Sequence, residues 1–437
     1  MQWIQQLVFL LCLATGIEFF RRSVLQIRRN IKLGRDIDIS DQPKERIKQT
    51  LLVALGQSKM VRRPVAGFFH ILIYVGFVLI NIEVLEILID GLFGTHRVFA
   101  GPLGGIYNAA IAFFEWLALG VLIACVVFLF RRYVQKIPRF TMREMKGWPT
   151  KDATIILFVE IVLMGALLQM NAAEQVLQAR GEMAAHGSFP VSSWFVPLYD
   201  GMSNSALHLL ERSFWWFHFV GILLFLNYLP FSKHWHIIMA FPNVYFSSLK
   251  PKGAFDNMQS VTTEVKLMMD PSGAVPEGYE PPAGFGAKDV NDLTWKNLMD
   301  AYTCTECGRC SSVCPANITG KLLSPRKVMM DTRDRLEEVG KAINQSGAKE
   351  MPDDGKNLHS YISSEELWAC TTCNACADAC PVNINPVDII MQMRQYLVME
   401  QSAAPSELNG MFTNMENNGA PWQFNQNDKG AWAKADS

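Results

Sequence analysis

Long apolar runs fill the first half of the chain and disappear from the second. Five blocks, Trp3 to Phe20, Gly67 to Ile89, Ala109 to Phe130, Ala153 to Met170 and Phe214 to Phe231, each approach the ~20 residues a helix needs to cross a bilayer. They predict an all-α protein whose residues 1–241 form a five-helix transmembrane bundle. No small-residue cleavage site follows the first block, which runs directly into Arg21, Arg22, Arg28 and Arg29 and therefore reads as a retained membrane helix. The connection after the first block and the one after Phe130 are rich in Lys and Arg. The second and fourth connections carry only Arg97, Arg180 and Arg212. Under the positive-inside rule the N-terminus lies outside and everything after His236 is cytoplasmic.

Beyond the last block the pattern changes. Residues 242–294 are rich in Pro, Gly and Ser, as in the run from Pro271 to Pro282, and predict a linker or wrapping arm. Two cysteine runs follow, leading into helical patterns at Ser324 to Val339 and Pro386 to Met399. They define an all-helical domain at 295–400, with a polar loop at Asn344 to Lys356. Residues 401–437, which include Asn414 to Trp422 and Asp428 to Trp432, are too polar to form a core alone and predict a tail that docks on a partner.

The net charge of −1 leaves no basic face for phosphate, so no nucleic-acid partner is expected. The chemistry lies in the cysteines. Cys304, Cys307, Cys310 and Cys314 precede Pro315, and Cys370, Cys373, Cys376 and Cys380 precede Pro381, both in C-x2-C-x2-C-x3-C-P spacing. Three thiolates at that spacing wrap three corners of a cubane, while the fourth reaches the other cluster. One [4Fe–4S] cluster is then expected on Cys304, Cys307, Cys310 and Cys380, and the second on Cys370, Cys373, Cys376 and Cys314. Zinc sites use paired C-x2-C units without a third cysteine, and disulfides do not suit a reducing cytoplasm. Cys12 and Cys125 lie in membrane spans and read as packing residues.

Four of the eight histidines fall where a membrane haem would need them: His70, His218, His234 and His236. The second span runs inward to outward and the fifth outward to inward, so His70 and His236 share a depth near the cytoplasmic side. They are the expected axial pair of one haem b. On a continuous helix His218 and His236 share a face and His234 points away, unless Pro230 kinks the helix and restores His234 as a candidate. The competing use of His234 and His236 is to reach the headgroups, and of His70 to bond a backbone carbonyl. Glu83, Glu86, Glu115 and Glu160 also lie in apolar spans, as proton relays for quinone chemistry or as structural hydrogen-bond anchors.

These residues resemble a known family. Five spans with a histidine early in the second and two histidines eighteen residues apart in the fifth are similar to the cytochrome b subunit of respiratory nitrate reductase and of heterodisulfide reductase-type complexes. The resemblance implies His70 and His236 for the inner haem and His218 for an outer haem, whose second ligand falls on Ile80 here. The stretches Phe285 to Val290, Leu293 to Pro315, Ser324 to Arg326, Trp368 to Pro381 and Glu416 to Trp422 resemble the two-cluster ferredoxin domain of those complexes and of anaerobic glycerol-3-phosphate dehydrogenase. They are most similar to membrane iron–sulfur proteins that link electron-transferring flavoprotein to menaquinone. The resemblance implies a bacterial inner-membrane subunit that exchanges electrons with menaquinone. Many such proteins continue into CCG domains; this sequence reaches Ser437 without a Cys-Cys pair, which implies a separate CCG-domain partner, with electron-transferring flavoprotein as a further one. Two other functions remain open: a quinol-oxidising subunit of a heterodisulfide or sulfite reductase-like complex, and a haem-free membrane-anchored ferredoxin.

Overall fold

Helices α1 (Gln2–Ile31), α2 (Pro64–Phe93), α3 (Gly105–Tyr133), α4 (Trp148–Ala179) and α5 (Asn204–Tyr228) are the five long apolar elements of a computed structural model. It describes residues 2–437 apart from 252, 256, 271–278, 280–283, 348–350, 424, 429 and 434–437. The first four helices outrun the apolar blocks that predict them at both ends, because helix propagation does not stop where lipid does. In α1 the extension passes through Arg21 and Arg22, which pair with Glu18 at 2.7 and 2.8 Å one turn back. Pro64 opens α2 and Gly94, in the left-handed conformation, closes it. Small residues bring the helices together: a Cβ on Gly76 would strike Val121, and one on Gly221 would strike Leu163.

The fifth span does not continue through His236. After α5 the chain makes a 3-10 turn at Leu229–Phe231, extends at Ser232, turns again at Lys233–Trp235 and only then enters α6 (His236–Tyr245). Pro230 cannot donate to the helical ladder, and Asp152 of α4 takes the freed groups, accepting from Ser232 Oγ at 2.7 Å and Lys233 N at 3.0 Å. The phase argument that set His234 apart therefore fails, and His234 and His236 lie together.

The cysteine-bearing half is built on α7 (Trp295–Thr303), α8 (Pro325–Ser346) and α9 (Pro386–Met399), with α10 (Ser406–Asn418) lying exposed beyond them. Reciprocal capping by Thr294 and Asn297 starts α7, and Ser324 caps α8 ahead of Pro325. Residues 284–294 wrap this unit, with Ala287, Val290 and Leu293 fully buried and the Ala287 amide bonded to Gln392 O at 2.8 Å. Gly286 (φ 72°) is needed there, because a side chain would collide with the backbone at Tyr396. The run Pro271 to Pro282 falls, apart from Tyr279, outside the described residues. Among the described residues there is no β-strand; a single parallel bridge joins Arg35 to Thr294. One apolar core runs from Ile27, Ile31, Phe225 and Trp235 at the bundle's inner end into Leu298, Tyr302 and Met329, so the two halves are seated on each other.

Candidate redox site

The two cysteine runs adopt the same local backbone. Glu306 and Gly308 in the first, and Thr372 and Asn374 in the second, have positive φ, at two and four residues past the leading cysteine. These left-handed residues curl each loop so that its thiols face one centre and its amides turn toward sulfur. Thr372 N donates to Cys370 Sγ at 3.4 Å, and backbone amides of Val382 and Ile384 donate toward Cys380.

The fourth cysteine of each run lies within electrostatic reach of thiols in the other run. Burial pushes the Cys380 thiol up to about 12, and Cys307 and Cys304 of the other run act on it in the same direction. Burial likewise pushes Cys376 up to about 12, with Cys370, Cys314 and Cys373 within electrostatic reach. Cys310 is raised by burial and by Cys307, Cys304 and Cys380, and also senses Cys376, so the two thiol sets adjoin. Cys304, Cys307, Cys310, Cys376 and Cys380 line one cavity. Among the described residues no three His, Cys, Asp or Glu converge on a point that would hold one metal ion. Thiols spread around a cavity fit a polyatomic cubane better than a zinc ion with four bonds of about 2.3 Å.

The histidines gather just above. The rings of His70 and His236 lie 6.4 Å apart, centre to centre, and His234 lies 5.5 Å from His236. His236 Nδ1 bonds Lys233 O at 3.0 Å, which leaves Nε2 for a ligand; His70 Nδ1 is buried with no partner among the described residues. Burial holds His236 below the usual imidazole range despite the Lys233 carbonyl, and burial with His236 and His70 nearby takes His234 down to about 3. Neutral rings are the ligand-competent form. Two imidazoles sharing one iron through bonds of about 2 Å have centroids roughly 6 Å apart, so this pair fits a bis-histidine haem. His218 is also buried, but its Nδ1 faces Leu163 O at 3.2 Å, and Ile80 packs with Phe219 and Val121 in the apolar core on that side. Among the described residues no second histidine ring is paired with it.

The joint between histidines and thiols is polar and specific. Arg309, between Cys307 and Cys310, donates to Lys59 O at 3.0 Å and Met60 O at 3.3 Å, and lies within electrostatic reach of His70. Lys233 pairs with Glu306, Arg63 bonds Ser312 Oγ at 2.6 Å, and Lys59 Nζ bonds Cys380 O at 3.3 Å. Arg326, fully buried, pairs with Glu144 at 2.7 Å and donates to Arg139 O at 2.7 Å. The sequence reading uses Lys59, Arg63 and Arg139 only to orient the membrane; the signal it passes over is that they lie in the two basic loops that meet the cysteine domain.

The intramembrane carboxylates divide. Glu86 accepts from Phe99 N at 2.9 Å and Tyr107 OH at 2.7 Å, and Glu115 from Val191 N at 2.8 Å and Ser192 N at 3.1 Å, so both anchor the connections that follow α2 and α4. Glu83 is buried with Oε2 unpartnered among the described residues. Arg97, which the sequence marks only as a loop charge, is buried and bonded to Glu174 at 2.7 Å, Tyr107 at 3.0 Å and Asn171 at 3.0 Å.

Comparison with known proteins agrees with this geometry. Residues 303–384 match the model of the 4Fe-4S dicluster domain. The chain is 28% identical over 454 residues to the probable iron-sulfur-binding oxidoreductase FadF of Bacillus subtilis, covering 98% of this chain and 60% of that protein. It is 28% identical over 422 residues to an EtfAB:quinone oxidoreductase of Syntrophomonas wolfei, covering 91% and 55%. A probable membrane-anchored ferredoxin of Chromohalobacter salexigens is 31% identical over 163 residues, covering 35% of this chain and 24% of that protein. The chain thus spans 55–60% of the length of the first two relatives. No solved structure matches. With five apolar helices, a dicluster domain and relatives named for redox activity, the chain is a helical membrane iron–sulfur protein of electron transfer.

Proposed function

We propose that this chain is the electron-transfer subunit of a quinone-linked oxidoreductase, passing electrons between a cytoplasmic partner and menaquinone in the bacterial inner membrane. Cys304, Cys307, Cys310 and Cys380 hold one [4Fe–4S] cluster, Cys370, Cys373, Cys376 and Cys314 the other, and His70 and His236 hold haem b. When bound, these groups carry single electrons. The chain's own residues set the order: Cys373 is exposed, whereas Cys304 and Cys380 are buried toward the membrane joint, so the partner meets the second thiol set. A CCG-domain iron–sulfur protein or an electron-transferring flavoprotein is the partner class. The relative named EtfAB:quinone oxidoreductase supports that choice.

The observation that carries the reading is the seating of the first thiol set beneath the 6.4 Å histidine pair, joined by Arg309. A reduced-minus-oxidised spectrum of the purified chain tests it, alongside iron and sulfide analysis. An alpha band of haem b that His70→Ala abolishes, with the iron–sulfur signal retained, is the expected result. The relative named as a membrane-anchored ferredoxin favours a second reading, a haem-free anchor, which absence of that band in the wild type would select.

A further inference from the structure

A cavity of about 560 Å³ opens where the inner end of α1 meets α6 and α7. Its size is within the range of small-molecule sites, roughly 300–1,000 Å³. Val24, Ile27 and Ile31 form one wall, Met239 and Trp235 another, and Trp295 and Met299 its floor. The cavity is a fixed gap. On one side Asn30 bonds Tyr302 OH at 2.8 Å and Arg29 bonds Gly340 O at 2.9 Å; on the other, Arg35 N bonds Leu293 O at 2.7 Å and Trp295 N bonds Arg35 O at 3.0 Å.

We propose that this cavity binds the ring of a lipophilic quinone, an inference that rests on the quinone-linked reading above and places its site. Depth is the first argument. Trp235 meets Phe20, the last residue of the first apolar block, at 6.1 Å, and Val24 is one turn, roughly 6 Å, below it. The isoprenoid tail stays in lipid while the ring enters the gap. Shape is the second argument. Two indoles, Trp235 and Trp295, give flat walls to an otherwise aliphatic pocket, which suits a flat fused ring. Polarity is the third: Arg28 and Lys32 stand exposed at the rim and supply donors for a quinone carbonyl oxygen. Position is the fourth. Trp235 lies between His234 and His236, and Trp295 and Met299 belong to the helix that ends at Cys304.

Two electrons arriving singly from the cytoplasmic partner, and two protons from water at the rim beside Asp36, convert both quinone C=O groups to O–H. The test uses the full-length protein in nanodiscs and the fluorescent quinone analogue 2-heptyl-4-hydroxyquinoline N-oxide. Binding quenches its fluorescence whether or not a partner is present. Val24→Trp fills the gap and is expected to weaken binding at least tenfold; Lys32→Glu, at an exposed position, is expected to weaken it severalfold with unchanged haem and cluster spectra. Binding within twofold of wild type in both variants overturns the site while leaving the quinone-linked reading intact. The same holds if Val24→Trp only displaces a co-purified phospholipid. A wild-type protein that neither binds the analogue nor is oxidised by menadione overturns the quinone-linked reading itself.

Discussion

Substituting Glu144 with Ala should loosen the seating of the cysteine domain on the bundle. Arg326 is fully buried and Glu144 is 9% exposed, with Nη2 and Nε of the guanidinium at 2.7 and 3.2 Å from one carboxylate oxygen. That oxygen also accepts from Ser324 Oγ at 2.6 Å. Without it the cation keeps only carbonyl oxygens, Arg139 O at 2.7 Å and Glu306 O at 3.3 Å. Removing one partner of such a pair costs about 3–5 kcal/mol, which is a fall in Tm of roughly 6–20 °C for a unit of 150–250 residues. Glu144→Gln keeps an acceptor and should cost roughly 1–2 kcal/mol. Thermal loss of the iron–sulfur absorption in detergent measures both. Burial alone would raise the Glu144 carboxyl, but Ser324 and Arg326 outweigh it and hold it below the ordinary value. Its contribution is therefore complete above about pH 4.5 and is lost as pH falls through the depressed native value. The gap between wild type and Glu144→Gln should close on acidification. A fall in Tm under 2 °C for the Ala variant, or a gap unchanged between about pH 7 and pH 3, would refute the reasoning.

Cys380→Ser should damage the cluster associated with Cys304, Cys307 and Cys310, and Cys314→Ser the other one, as read by electron paramagnetic resonance; damage confined to the cluster nearest in sequence would refute the crossed arrangement. Gly308→Ala places a side chain at φ 69° against the Arg326 guanidinium. It should lower iron content for the first cluster by half or more while sparing the second. Arg97→Leu leaves buried Glu174 with Gln178 Nε2 at 2.9 Å and His96 at 3.8 Å but without its guanidinium, and should cost about 3–5 kcal/mol, measured as thermal stability, without altering the haem spectrum.

The spans, their order and the dicluster domain were legible in the sequence because each rests on a local rule: bilayer thickness for Trp3 to Phe20 and its four successors, and cubane spacing for the C-x2-C-x2-C-x3-C-P runs. The helix break at Leu229 to Trp235 was only half legible. Pro230 announces a kink, but its direction is set by Asp152, which lies 80 residues before Ser232, across α4, one loop and α5, and no periodicity encodes that partner. Glu86 and Glu115 looked equally fit for proton relay because their loop partners, Phe99 N and Val191 N, are backbone groups invisible to side-chain patterns.

The basic loops show why one pattern can carry two meanings. Arg63, Arg139 and Lys233 satisfy the positive-inside rule, and that rule fully accounts for them as charges. Yet Arg63 bonds Ser312, Lys233 pairs with Glu306, and the Arg139 carbonyl receives Arg326, all within the loops that carry or support the first thiol set. A charge that only oriented the chain would remain hydrated at the headgroups, where an ion pair contributes about 0–1 kcal/mol. Lys233 is instead 9% exposed and Glu306 2%. Its backbone carbonyl also takes His236 Nδ1, so the residue that docks the cluster loop is the one that fixes the imidazole. Displacement of the Lys233 segment would then disturb the first cysteine loop and the His236 ring together.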